Sequence, residues 1–398
     1  MRTPYGPGSP PALVLGRGVT SLGVIRSLGR LGIETFLVGD EGFATRSRWY
    51  RPLNPPGLDP PTEATLAEWL RRLPFERMAL VPCSDEWATA VSLLEQDLAA
   101  RFPSSLAPAA ALAALVDKGR FAEVLDALAL PHPRTLRLRR AAELQAVGED
   151  LLSSAFLKPR ESQAFARRFG VKAFHFRTRA EALARLQEAQ TAGFEMLLQE
   201  YIPGPPTAHF FIDGFVDSRA EVRARFARQR LRMDPPDFGN SSAMVSIPPR
   251  QAEDAVATSD ALLAHLAYRG IFSAEFKLDA RDGRFKILEV NSRAWWFVEF
   301  ATDCGVNVCE MAYRDALGLP VPAVERYAVG KRCVFPYHDL RAWRRAKHGG
   351  RPALLRLLAS WTLARQPIFR WDDPLPALAS AARYWREKLR RSWRGGSD

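Results

Sequence analysis

The chain has 398 residues, 47% hydrophobic and 25% charged, a balance that suits a folded protein with a sizeable core and excludes a disordered one. Its formal charge of +12 is unevenly placed: residues 326–398 hold 17 basic and 5 acidic side chains, whereas residues 1–325 hold 39 of each. A neutral body of that size argues against a general coating of nucleic acid.

In chain order, residues 12–16 (ALVLG) read as a short buried strand, and Gly16-Arg-Gly18 then turns into a helix with Leu22, Ile25 and Leu28 at helical spacing and Gly32 at its C-terminal cap. Residues 34–38 form a second strand, 65–73 a helix and 78–82 a third strand. Strands alternating with helices imply a parallel sheet over residues 12–110. A Pro/Ala/Ser stretch at 103–111 marks a boundary. Beyond it, the pattern predicts a helix at 118–128 stopped by Pro131 and Pro133, then strands at 155–158 and 171–176. A helix at 179–190, a strand at 195–199, a strand pair within 208–230 and a helix at 252–268 follow. Residues 272–279 and 284–290 form a hairpin around Arg281-Asp282-Gly283. The cysteines Cys83, Cys304, Cys309 and Cys333 have neither a zinc spacing nor a C-x-x-C motif, so they are expected as free thiols in a reducing compartment. No apolar run nears the roughly 20 residues that cross a bilayer. Residues 1–11 lack an apolar signal core, so the expected location is the cytoplasm.

Two segments carry chemistry. Gly16-x-Gly18, after a strand and before a helix, can cradle an anion on backbone N–H groups. The dinucleotide pattern wants Gly or Ala where Ser21 stands. Three readings stay open: a nicotinamide dinucleotide with Asp40 on its ribose, a plain turn, and an anionic substrate. The hairpin is sharper. Glu289 and Asn291, two apart on a strand, share a face. A three-residue loop with Gly283 at positive φ would pair Glu275 with Glu289, whereas a two-residue turn would pair Glu275 with Val290. Two opposed carboxylates repel unless a cation lies between them. Two Glu and one Asn offer hard oxygen donors that suit Mg²⁺ with phosphates completing its shell.

On these residues the chain resembles the ATP-grasp superfamily, in its carboxylate–amine ligase branch. The run Glu275, Glu289, Asn291, Arg293 is similar to that family's metal and phosphate motif, with the Glu spacing of the carbamoyl-phosphate synthase large chain. Val116-Asp117-Lys118, Phe156-Leu-Lys158-Pro159 and Leu197-Leu-Gln-Glu200-Tyr-Ile-Pro-Gly204 resemble its domain start, its strand lysine and its adenine hinge. Arg230-x-Arg232-x-x-Pro-Pro-x-x-Gly239 resembles an Arg-rich loop of the D-aspartate-ligase-like branch, and Ser84-Asp85-Glu86 fits the domain that precedes ATP-grasp domains. Two departures stand out: residues 159–170 carry Arg160, Arg167 and Arg168 where many members have a glycine-rich loop, and Ser292 replaces the more usual Pro.

The resemblance implies an α/β protein of the ATP-grasp kind. Its parts would be a Rossmann-like domain at 1–110, a two-lobed ATP-grasp domain at 111–325 and a basic helical region at 326–398. It implies ATP and Mg²⁺ as cofactors and small-molecule carboxylate and amine substrates. Glu275, Glu289 and Asn291 would hold the metal, and Lys118 and Lys158 the phosphates. Glu200, Tyr201 and Ile202 would meet adenine, with His209 nearby. Arg293 would stabilise the transferred phosphoryl group, and Arg232, or Arg230, would hold the acyl phosphate or substrate carboxylate. Trp295 and Trp296 are expected in the core, with an aromatic substrate wall as the alternative. The rival functions are a nicotinamide-dependent oxidoreductase at Gly16-Gly18 and a catalytically silent nucleotide-binding module. A homodimer is left open.

The basic region holds five of the ten Trp. Residues 374–394 place Leu378, Ala382, Trp385, Leu389 and Trp393 near one helical face, with arginines between them, and residues 351–366 form a second helical candidate with Leu354, Leu358 and Trp361. Packing on the body, peripheral contact with an anionic membrane or a lipid-linked substrate, and an acidic partner stay open; specific nucleic-acid binding is not expected.

Overall fold

A computed structural model of the chain describes residues 5–6, 8–39, 42–53, 62–160, 162–235, 239–345 and 353–394; the side chains of 162–163 and 387–394 lie outside that description. The first sheet holds β1 (Ala12–Leu15), β2 (Thr35–Val38), β3 (Tyr50–Arg51) and β4 (Ala79–Pro82), in the order β3-β2-β1-β4. All its pairings are parallel. β1 and β4 are buried along their whole length, as a strand covered on both faces must be, which is why both read as unbroken apolar runs. The loops after β1 and β4 meet. A Cβ on Gly16 would sit 2.8 Å from that of Cys83, and Gly16 has φ +144°. Close approach therefore accounts for this glycine without any ligand.

A three-stranded antiparallel sheet follows: β5 (Thr135–Leu138), β6 (Ala155–Pro159) and β7 (Met196–Glu200), ordered β5-β7-β6. The expected strand at 171–176 is a single bridge between Leu157 and Phe174. The segment after Pro159 is a helix, Ser162–Phe169, held by an aromatic cluster in which Phe165 lies 4.7–5.3 Å, centroid to centroid, from Phe169, Phe174 and Phe194.

The third sheet has β8 (His209–Val216), β9 (Val222–Asp234), β10 (Asn240–Ile247), β11 (Gly270–Leu278), β12 (Phe285–Asn291) and β13 (Arg332–Val334), in the order β12-β11-β8-β9-β10-β13. One core joins this sheet to the first: Val14, Leu22 and Ile25 from the front pack in one cluster with Phe215, Phe226, Val298 and Phe300.

Much of the basic region packs on the body. β13 covers the β10 edge, which would otherwise leave unpaired backbone groups. Asp339, on the helix Pro336–Arg345, accepts from Arg232 twice at 2.7 Å, from Ser242 Oγ at 2.8 Å and from Trp361 Nε1 at 2.8 Å. Residues 367–373 form a strap over the helix Gly18–Gly29, where Arg26 is 0% exposed. Arg26 Nε donates to Asp373 Oδ2 at 2.9 Å, and its terminal nitrogens donate to the carbonyls of Pro367, Ile368 and Asp373 and to Glu299. Asp373 also accepts from Ser47 Oγ and Arg48 N. The helix Leu375–Arg394 follows, packed near its start on the turn Phe43–Arg46.

Candidate active site

The hairpin sets the floor of the site. Gly283 has φ +70°, and Glu275 is paired with Glu289. The route differs from the expected one. The loop closes with Gly283 N donating to Asp279 O, and Leu278 pairs with Phe285, a register that alone would set Glu275 opposite Leu288. A β-bulge between Phe276 and Glu275 absorbs Leu288 and shifts the pairing by one residue. Bulges re-aim side chains, and here Leu288 and Glu289, neighbours in sequence, both line the cleft.

That cleft, about 970 Å³ and open to solvent, lies between the three-stranded sheet and the third sheet. It gathers Lys118, Lys158, Glu200, Tyr201, Ile202, His209, Glu275 and Glu289, together with Arg230 and Lys277. Lys118 begins the helix Lys118–Ala127, capped by Asp117, whose Oδ1 accepts from Gly119 N and Arg120 N. Asp117 also pairs with Arg160, and Lys118 Nζ donates to Arg160 O at 3.1 Å. Lys158, on β6, donates to Gln199 Oε1 at 3.3 Å. Burial, with Lys118 close by, pushes its pKa down to about 8. Glu275 is buried against its charge, yet Arg230 and His209 hold its carboxyl down at about 2. Oε1 accepts from Arg230 Nη2 and His209 Nδ1, each at 2.9 Å. Burial lowers His209 below the ordinary imidazole value despite that neighbour. Glu200 points its carboxylate at the scaffold: it accepts from Arg134 N at 3.1 Å and from Arg281 Nη2 at 2.6 Å, tying β7 to the hairpin loop.

Asn291 lines an adjoining recess with Glu289, Lys118, Lys158 and Asp85. Arg293 donates to Asn291 Oδ1 at 2.9 Å and to both oxygens of Asp85, at 2.9 and 3.3 Å, so a front-sheet loop reaches the end of β12. Arg232 is a correction. It shares a face of β9 with Arg230, but at the far end its guanidinium is committed to Asp339, and Arg230 is the arginine in the cleft. Trp295 is buried in the core, and Trp296 packs on Phe335 and His338. Asp40 lies outside the described residues. Sequence reasoning gave no role to Lys277, which lies over the Tyr201 ring at 4.8 Å. Its spacing of two from Glu275 on β11 was the available signal.

The donors suit Mg²⁺. Among the described residues Glu275 Oε2 accepts no hydrogen bond and no ion pair reaches Glu289. No three His, Cys, Asp or Glu side chains converge among the described residues, and the Asn291 Oδ1 accepts from Arg293, so Glu275 and Glu289 are the two oxygen donors open to an ion that takes its remaining ligands from phosphates and water.

The three sheets and the helices between them are those of an ATP-grasp fold, which solved structures of other proteins share. Among curated proteins the chain is similar to the D-aspartate ligase of Enterococcus faecium (strain Aus0004), 29% identical over 275 residues, 65% of each chain. The chain thus matches just under two thirds of that relative's length. Solved structures share the fold at low identity. The ADP complex of an N5-carboxyaminoimidazole ribonucleotide synthetase has a TM-score of 0.64 at 14% identity, over 87% of this chain and 86% of that one. A biotin carboxylase domain from Hydrogenobacter thermophilus, complexed with MgADP, ADP and bicarbonate, scores 0.62 at 17% identity over 80% and 73%. An L-amino acid ligase from Bacillus licheniformis scores 0.58 at 15% identity over 78% and 74%. No protein-family model matches the chain.

Proposed function

We propose that this protein is an ATP- and Mg²⁺-dependent ligase that activates a carboxylate as an acyl phosphate and passes it to an amine, forming a C–N bond. The observation that carries this reading is the cleft, where Glu275 and Glu289 face each other across the hairpin within a ring of Lys118, Lys158 and Arg230. Phosphoryl transfer between two anions is limited by crowded negative charge, and fixed cations offset it. Glu275 and Glu289 would hold Mg²⁺, which when bound neutralises phosphate oxygens. Lys118 and Lys158 would neutralise the phosphate chain as point charges. Glu200 to Ile202 would meet adenine through backbone groups, since the Glu200 carboxylate is already engaged. Arg230, in place of Arg232, would hold the acyl phosphate or carboxylate, and Arg293, engaged by Asp85 and Asn291 outside the cleft lining, would position Asn291 unless it exchanges Asp85 for the phosphoryl group.

The E. faecium relative supports an amino acid, aspartate first, as the carboxylate substrate. We read residues 1–110, 111–325 and 326–398 as the front domain, the ATP-grasp domain and a peripheral region outside the chemistry that can meet a membrane or a lipid-linked substrate. The proposed location is the cytoplasm. The H. thermophilus domain is a dimer, and a homodimer is the proposed assembly here. The test is ADP release from Mg-ATP across panels of amino acids and amines. Stimulation by one amino acid, lost in Glu289→Ala, supports the reading; Glu289→Ala turning over like wild type overturns it.

A further inference from the structure

The ligase reading leaves the exposed side chains of the basic region unused, and this exposed surface is unusual in two respects. Among the described residues, ten of the sixteen exposed large apolar side chains lie between Tyr337 and Trp385. Leu363 is 95% exposed, Trp371 89% and Leu355 80%. A soluble surface rarely gathers such side chains without a partner.

Charge is sorted on the same stretch. Of its described acidic residues, Asp339 faces Arg232, Asp373 faces Arg26 and Asp372 pairs with Arg30. The acids are thus spent on the body's own arginines. Arg356, Arg365 and Arg386 stay exposed, interleaved with the apolar side chains. The strap alternates within single steps: Arg370 turns in to Glu299 and Asp303, Trp371 turns out, and Asp373 turns in again.

We propose that this exposed region docks on the surface of an anionic lipid bilayer. Such a surface meets both properties at once, because arginines sit at anionic headgroups while Leu and Trp enter the headgroup–acyl boundary. A nucleic acid would satisfy the arginines alone, since its binding surface is mostly phosphate and sugar. No helix among the described residues is long and apolar enough to cross a membrane, so the contact is peripheral. This inference does not depend on the ligase reading, because vesicle binding needs neither nucleotide nor turnover.

The test is flotation of the full chain with vesicles of phosphatidylcholine alone or mixed with phosphatidylglycerol, near physiological ionic strength. The protein is expected to float with the mixed vesicles and to stay behind with phosphatidylcholine. Each arginine near an anionic surface contributes roughly fivefold in partitioning. Arg356→Glu/Arg365→Glu/Arg386→Glu is therefore expected to lower binding by at least about tenfold. Leu355→Ser/Leu363→Ser/Trp371→Ser is expected to do the same, with unchanged thermal unfolding in both variants. Wild type should also show tryptophan quenching by brominated lipids, which does not depend on any variant folding. Absence of binding to the anionic vesicles, absence of quenching, or apolar-variant binding equal to wild type would each overturn the proposal. Single-stranded DNA held more tightly than vesicles, with no loss in the apolar variant, would assign the region to a polyanion and overturn it as well.

Discussion

In the cleft, acid and base face each other: Glu275 lies between His209 and Arg230, and Lys158 sits close enough to both glutamates to feel their charge. In the basic region the described acids all pair with the body's arginines, while Arg356, Arg365 and Arg386 stay exposed and Arg370 turns in. Both arrangements bury cations, with different consequences. Arg26 is fully satisfied by carboxylates and carbonyls, so its charge is part of the folded structure. Lys158 has a pKa pushed down to about 8 by burial with Lys118 close by, so its charge is less favoured than an exposed lysine's and an anion in the cleft would favour it.

Exchanging these roles is the most direct way to break the comparison. Arg26→Met leaves Asp373 without its buried cation, whereas Glu299 keeps Arg30 and Arg370, and is expected to cost about 3–5 kcal/mol of stability, measured by chemical denaturation. A loss below about 1 kcal/mol would remove the distinction. Lys158→Met is expected to leave the denaturation midpoint at or above wild type while weakening nucleotide binding about 10- to 100-fold, read by calorimetry with ADP. Unfolding of that variant would place Lys158 with Arg26. The pH dependence sharpens the same point. Free Lys158 loses its proton as pH rises through about 8, whereas a bound phosphate favours the charged form. ADP affinity is therefore full below pH 8 and falls above it, by up to about tenfold per unit, and Lys158→Met flattens the slope. The smallest effect belongs to Asp117→Ala, which removes a helix cap and the partner of Arg160; about 1 kcal/mol of stability and a modest rise in the ADP dissociation constant are expected.

The carboxylate hairpin is legible in the sequence because period-two alternation on a strand assigns faces without tertiary information. The means of pairing is not legible: a bulge at Leu288 looks like any apolar residue, and the loop length inferred from Gly283 was one residue short. Arg230 and Arg232 are equivalent by spacing, and what separates them is Asp339, more than a hundred residues away. β10 is not legible either, because its sequence, Asn240 to Ile247, opens on polar residues, although neighbours bury most of it. The helix Ser162–Phe169 depends on an aromatic cluster whose partners, Phe174 and Phe194, stand further along the same β6–β7 connection, so local pattern could not announce it. The sequence also presents Asp372 and Asp373 as surface charges after Trp371. That they turn toward Arg30 and Arg26 depends on a helix some 340 positions earlier.

The strap has a consequence for heredity. Arg26 and the run from Pro367 to Asp373 lie near opposite ends of the coding sequence, yet neither makes physical sense without the other. A recombination event that exchanged the last 73 residues for those of a relative lacking the matching aspartate would leave a sealed guanidinium with Glu299 alone and without the aspartate and carbonyls of the strap. The chemistry could be shuffled at residue 325, but the fold could not. After Asp373 the helix Leu375–Arg394 still leans on the turn Phe43–Arg46 and, through Tyr384, on Tyr337, so even there the exchange would have to keep those two contacts.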